Sequence, residues 1–239
     1  IYGHRLFHLT DDNHLIALDA RDGALLWETE EWGSDDGIGH MGGPMVAAGV
    51  VVSGRSCSAR GGPDICYLAG HDPETGRELW RRRTIPRPGE PGDDSWGDLP
   101  DERRWHVGTW GNVPSYDPVL GLLYWGTSVP APSLEQVRGT MGLDVLYSNS
   151  TLATDPSNGD VVWYYQHLPR DNWDLDHVFE RYLIDVVVAP DPAEVPWISS
   201  QITPGERRRV VTGIPGKTGI VYTLDRKTGE FLWARETLH

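Results

Sequence analysis

An all-β fold built from repeated hairpin blades, a β-propeller, is predicted by three observations on the 239-residue sequence: a hairpin pattern that recurs four times, a near absence of helical periodicity, and 11 tryptophans, four of them at one repeated position. The pattern is Asp-x-x-x-Gly-x-x-x-Trp. It occurs as Asp19 to Gly23 to Trp27, Asp72 to Gly76 to Trp80, Asp155 to Gly159 to Trp163, and Asp225 to Gly229 to Trp233. Each copy is an apolar run, a polar turn opened by Asp and closed by Gly, and an alternating run that ends in Trp. That is a β-hairpin in which Gly supplies a positive φ. The runs that enter the turns, such as Leu15–Leu18 and Ile220–Leu224, are short and rich in β-branched and aromatic residues.

The tryptophans of successive copies lie 53, 83 and 70 residues apart, more than a bare four-stranded unit needs, so insertions must sit between the blades. They include Pro86–Trp105 and Ser133–Tyr147, and function is expected in such segments. Four hairpin units amount to about half of an eight-bladed propeller, and half a propeller leaves two bare sheet edges. Residues 1–239 therefore read as about four blades of one propeller domain in a longer chain. The stretch Asp117-Pro-Val-Leu-Gly121-Leu-Leu-Tyr-Trp125 fits the spacing but lacks the polar residue before Gly, and is expected to form a different turn leading into a core strand. The repeated tryptophans are expected to pack across blades, with the indole N–H on a backbone acceptor.

A formal charge of −14 disfavours nucleic acid and anionic lipid, and the clusters Arg81–Arg83 and Arg207–Arg209 are short and lie among acids. No stretch approaches the roughly 20 apolar residues of a membrane span. Cys57 and Cys66 enclose a Gly/Pro-rich loop that can close as a disulfide, which implies an oxidising compartment; two buried thiols are the alternative. A metal pair is disfavoured, since no CxxC spacing accompanies them. Gly213-Ile-Pro-Gly-Lys217-Thr is not a phosphate-binding loop, because its glycine spacing is one residue short and a strand follows.

The densest chemistry lies in Asp171-Asn172-Trp173-Asp174-Leu175-Asp176-His177. Asp174 and Asp176, two residues apart in a loop, either face one hard cation or serve as turn residues. Trp110 and Lys217 are likewise open between a site and a bland role, a core indole and an exposed turn lysine.

The order of motifs along nearly the whole chain resembles the pyrroloquinoline quinone (PQQ)-dependent alcohol and methanol dehydrogenases. The hairpin repeat looks like their tryptophan-docking motif. Between its copies come Gly108-Thr109-Trp110, Ser115-Tyr-Asp-Pro118, Leu123-Tyr-Trp-Gly-Thr-Ser128 before Pro130-Ala-Pro132, Leu146-Tyr-Ser-Asn-Ser-Thr-Leu-Ala153, Asp171-Asn-Trp-Asp174 and Lys217-Thr-Gly-Ile-Val-Tyr-Thr-Leu-Asp225, in the family's order. The resemblance implies periplasmic oxidation of a small alcohol, with PQQ and a Ca²⁺ or lanthanide ion as cofactors and an acceptor such as a cytochrome c. Asp174 matches the general base, Trp110 the indole on which the quinone stacks, Thr109 a hydroxyl donor beside it, and Lys217 the cation near the quinone oxygens. Asp174 and Asp176 match metal ligands, with Asp176 in the place of the extra aspartate of lanthanide-using members. Two departures stand out. Val129 replaces the ligating Asn before Pro-Ala-Pro, and the ligating Glu has no clear counterpart, Asp64 being nearest. The family's adjacent cysteine pair is missing as well. A non-catalytic propeller scaffold and an inactive quinoprotein are the competing expectations.

Overall fold

The structure, a computed structural model, describes residues 1–31, 42–58 and 62–237. Its strands fall into four antiparallel sheets. The first holds β1 (Arg5–Leu9), β2 (His14–Asp19) and β3 (Leu25–Glu30). The second holds β4 (Met45–Ala47), β5 (Val50–Ser53), β6 (Tyr67–His71) and β7 (Glu78–Arg83). In the third, β8 (Ser115–Asp117) and β9 (Leu122–Gly126) precede a single helical turn, α1 (Glu135–Arg138), and β10 (Ser150–Thr154) and β11 (Val161–Gln166) follow it.

The fourth holds β12 (Tyr182–Val187), β13 (Trp197–Ile198), β14 (Arg207–Gly213), β15 (Ile220–Asp225) and β16 (Phe231–Glu236), in the spatial order β12-β14-β15-β16-β13. The middle two sheets are the expected four-stranded blades. The first has three strands, and the fourth gains a fifth because the excursion after β12 returns to pair Trp197 and Ile198 with Ala234 and Trp233.

All four repeats fold alike. The Gly N–H donates to the Asp carbonyl at 2.8, 2.9, 2.8 and 2.9 Å, and each Asp Oδ1 accepts the N–H two residues on, from Arg21, Glu74, Ser157 or Lys227. The same one-residue register shift precedes every turn, and the tryptophans of the first three repeats reach the docking glycine of the next blade. There the docking glycine is indispensable. A Cβ on Gly76 would lie 2.5 Å from Trp27, one on Gly159 2.5 Å from Trp80, and one on Gly229 2.5 Å from Trp163.

Trp27 donates its indole N–H to the Pro73 carbonyl (3.1 Å), and Trp80 to Pro156 (2.8 Å). Trp163 departs from the expected pattern, since its N–H has no hydrogen-bond partner among the described residues although the ring contact is kept. The turn at Asp117 also differs from expectation. It is closed by the same bonds, Gly121 N–H to Asp117 O at 2.8 Å and Val119 N–H to Asp117 Oδ1 at 2.8 Å. What differs is its place, because it joins the first and second strands of its blade. Trp125 is therefore buried in a core strand, as expected, with its N–H on Thr154 rather than on a neighbouring turn.

Because successive strands alternate in direction, the docking turns lie at one end of the sheets. The loops between second and third strands, and those from one blade to the next, lie at the other. The first strands β8 and β12 of neighbouring blades touch. The inserts 86–105 and 133–147 pack on each other, with the Trp96 N–H on the Leu146 carbonyl, and share a core of Ile65, Ile85, Leu99, Val107, Val145 and the Cys57–Cys66 disulfide. Residues 59–61 of the loop closed by that disulfide lie outside the described residues. No helix among the described residues is long and apolar enough to cross a membrane.

Candidate functional site

Four loops meet at the end of the sheets opposite the docking turns. Gly108–Trp110 precedes β8, Thr127–Val129 follows β9, Asp171–Phe179 leads from β11 to β12, and Ile214–Gly219 joins β14 to β15. Backbone bonds lace them together. Thr109 N–H donates to Arg55 O (2.7 Å), Ser128 N–H to Gly108 O (2.8 Å), His177 N–H to Thr127 O (3.2 Å), Lys217 N–H to Asp176 O (3.1 Å) and Phe179 N–H to Pro215 O (3.1 Å). The contact between the last two loops requires Gly216, where a Cβ would lie 2.5 Å from the Asp176 carbonyl oxygen and 2.6 Å from the His177 ring. The disulfide supports the first loop from below, with Cys57 Sγ 3.2 Å from the Cβ position of Gly108.

Within the acidic loop the roles divide. Asp171 is buried and forms the turn, its Oδ1 accepting Trp173 N–H (2.7 Å) and its Oδ2 accepting Leu175 N–H (2.7 Å) and the Asn149 amide (2.9 Å). Asp174, in the left-handed region at φ 59°, turns outward with a side chain 61% exposed. Asp176 turns inward and is buried. Its Oδ1 accepts the Val129 N–H at 3.0 Å and its Oδ2 receives the Lys217 ammonium at 2.5 Å. Lys217 Nζ also donates to the Asp174 carbonyl oxygen (2.9 Å), lies 3.5 Å from Asp174 Oδ2, and stands 5.2 Å from the centroid of the half-buried Trp110 ring. Burial pushes the Asp176 carboxyl above its ordinary range, against the opposing bonds from Lys217 and Val129. Lys217 is raised: partial burial works against its charge, and the bond and charge of Asp176, then Asp174, outweigh it.

Trp110, Asp174, Asp176 and Lys217 are thus brought together. Thr109 is buried one residue before Trp110, with its hydroxyl on the Arg55 carbonyl at 3.3 Å. Asp64 is not brought to this cluster. It sits on a 3₁₀ turn, Pro63–Ile65, and pairs with Arg83 (3.3 Å) and Arg87 (3.8 Å).

Three buried features escaped the sequence reading. Glu31 is sealed between the first two blades against Arg55, with His71 Nε2 at 3.5 Å, and Glu31, His71 and Glu78 form the carboxylate and imidazole group whose ligand atoms lie within 4.8 Å of one another. Arg55 and Arg81 supply its countercharge. Behind the acidic loop, His167 and His177 stack at 5.1 Å, and Arg181 is buried beside them with its guanidinium on backbone carbonyls and Thr151. A charged residue inside a strand-rich segment is the only trace such groups leave in sequence.

The family described as "Glucose/ethanol/alcohol dehydrogenase, beta-propeller domain", a PQQ family, matches residues 1–237. The chain belongs to this family. Similar proteins include a quinohemoprotein alcohol dehydrogenase of Comamonas testosteroni, 31% identical over 94% of this chain and 31% of its own length. A lanthanide-dependent methanol dehydrogenase of Methylacidiphilum fumariolicum is 31% identical over 97% of the chain and 37% of its own length. Among solved structures, the quinohemoprotein alcohol dehydrogenase ADHIIG of Pseudomonas putida HK5 superposes with a TM-score of 0.84 at 28% identity, covering 100% of this chain and 34% of that one. The chain spans about a third of the length of the curated relatives it matches.

The family's two cofactors fare differently against these residues. A planar, anionic quinone suits a half-buried indole face with an ammonium beside it. A Ca²⁺ or lanthanide ion needs six or more oxygen ligands. Val129 offers hydrocarbon, Asp64 is tied to arginines, and both Asp176 oxygens already face hydrogen-bond donors. The donor set present does not fit a resident hard cation.

Proposed function

We propose that the protein oxidises a small alcohol to an aldehyde or ketone with PQQ as electron acceptor, Asp174 taking the hydroxyl proton. The observation that carries this reading is the convergence of Trp110, Asp174, Asp176 and Lys217 from three loops onto one point. When bound, PQQ supplies the acceptor for the hydride that leaves the alcohol carbon. Asp174 offers its carboxylate on the open side of the loop, so an incoming hydroxyl reaches an Oδ without displacing buried contacts, and its proton moves there. Trp110 is a flat apolar floor, and Thr109 holds that floor to Arg55 through its backbone N–H and hydroxyl. Lys217 places a fixed positive charge where negative charge develops on reduction.

The working molecule in this reading is a propeller of about eight blades, four of them in residues 1–239, that passes electrons to an acceptor such as a cytochrome c. The Cys57–Cys66 disulfide suits an oxidising compartment such as the periplasm. The test is titration of the full-length gene product with PQQ, followed by visible absorbance, and then alcohol-dependent reduction of a dye. Binding and turnover in the wild type, with binding but turnover at least about 100-fold slower in Asp174→Asn, are expected; absence of PQQ binding defeats the reading.

A further inference from the structure

We propose that the ammonium of Lys217 occupies the position between Asp174 and Asp176 that a metal ion would otherwise take, so that this site operates without a bound Ca²⁺ or lanthanide. The inference rests on the proposed quinone reading only for what the site serves, and its central test needs no quinone.

A hard cation is held by acceptors. Around Asp176 the chain presents donors instead, the Val129 N–H on Oδ1 and the Lys217 ammonium on Oδ2, so each oxygen is already engaged by a donor. The same ammonium reaches both the carbonyl and Oδ2 of Asp174. It therefore has three oxygen contacts within 3.5 Å, drawn from the two residues that resemble metal ligands. Lys217 is held there from both ends. Its backbone N–H is fixed to the Asp176 carbonyl at 3.1 Å, and Gly216 permits that approach.

The two departures of the sequence then belong together. Valine at 129 removes a side-chain acceptor, and the nearest alternative acid, Asp64, is neutralised elsewhere by Arg83 and Arg87. A multivalent ion entering beside Lys217 would meet a like charge and too few oxygens. The lysine also resembles the metal in effect, since it offsets part of the charge of the carboxylate pair and puts positive charge over the Trp110 face.

Terbium luminescence tests this on the full-length gene product, apo and free of PQQ, with the site tryptophans as antenna. The wild type should show no Tb³⁺ signal that Asp176→Asn abolishes. Lys217→Ala should gain a site, with affinity higher by at least about tenfold, because a like charge in direct contact with the carboxylates has been removed. Lys217→Met, which keeps the apolar stem, repeats the measurement, with circular dichroism to verify folding. Tight Tb³⁺ binding by the wild type that Asp176→Asn removes overturns the inference. So does the failure of both folded lysine variants to gain Tb³⁺, since the ammonium would then not be filling a metal position. A second arm loads the wild type with PQQ and dialyses it against chelator. Retention of PQQ without metal supports the inference, whereas loss restored by Ca²⁺ or La³⁺ overturns it while leaving the quinone reading intact.

Discussion

The backbone N–H of Val129 donates to Oδ1 of Asp176 at 3.0 Å, joining the loop after β9 to the loop that carries Asp174. The bond holds the buried carboxylate in place, while its neighbour Asp174, the proposed base, stays exposed. Asp174→Asn should therefore lower kcat by about 10²–10⁴-fold, the usual worth of a positioned general base. Unfolding free energy should change by less than about 0.5 kcal/mol, because the side chain is exposed. Steady-state dye reduction and denaturant melts measure the two, and a variant with undiminished kcat removes Asp174 from the chemistry.

The glycine sockets separate backbone strain from ring contact. Gly159 (φ 75°) receives the Trp80 indole, whereas Gly121 (φ 67°) closes the same kind of turn with nothing within 4 Å of its Cβ position. Alanine at either costs roughly 1–3 kcal/mol of left-handed strain. Gly159→Ala should cost a further 1–3 kcal/mol, roughly, for overpacking. Equal losses in urea melts would show that the ring contact contributes nothing.

Replacing Cys57 and Cys66 with serine opens a short loop and should cost about 2–3 kcal/mol. Because Cys57 lies under Gly108, the change should also loosen Trp110, which lowers PQQ affinity in proportion. Thermal melts with and without reductant, alongside PQQ titration, provide the check; a reduced protein with unaltered Tm and affinity contradicts it.

Two buried imidazoles set an acid limit. Burial, then the charge of Arg181, brings His177 down from 6.5 to about 3, and burial holds His167 well below its ordinary value. The unfolded chain protonates both near 6.5, while the folded chain keeps them neutral. Below that pH the unfolded state binds more protons, so stability is lost as pH falls. The slope per ring approaches about 1.4 kcal/mol per pH unit. His177→Asn should flatten the dependence by up to that amount in urea melts between roughly pH 6 and pH 4. Parallel curves for the two proteins would mean that His177 is not the acid-sensitive group.

The legible parts of this molecule were those whose determinants are local. An Asp that accepts N–H bonds two residues on and a Gly at positive φ need only their own turn, so the hairpins could be read from spacing. The neighbour across the turn could not. The missing polar residue before Gly121 suggested a different turn at Asp117, yet the bonds are the same and only the place in the blade differs. The pairing of Trp197 with Ala234 depends on a chain excursion that leaves no periodic trace. Asp64 drew attention because it is the acid nearest in sequence to a missing ligand, but proximity along the chain says nothing of which side of a 3₁₀ turn it faces, and Arg83 decides that. The roles of Asp171, Asp174 and Asp176 became distinct only once burial separated three similar carboxylates.

Among the described residues, the tryptophans of the first three blades, Trp27, Trp80 and Trp163, each fill a glycine socket on the following blade. The row of four blades is consequently vectorial. Each blade depends on its successor to cover its indole, and damage to one socket exposes the blade before it. A fault at Gly229 should thus be felt first at Trp163, whose N–H already lacks a partner among the described residues, so the third-to-fourth junction has one hydrogen bond fewer than the two before it.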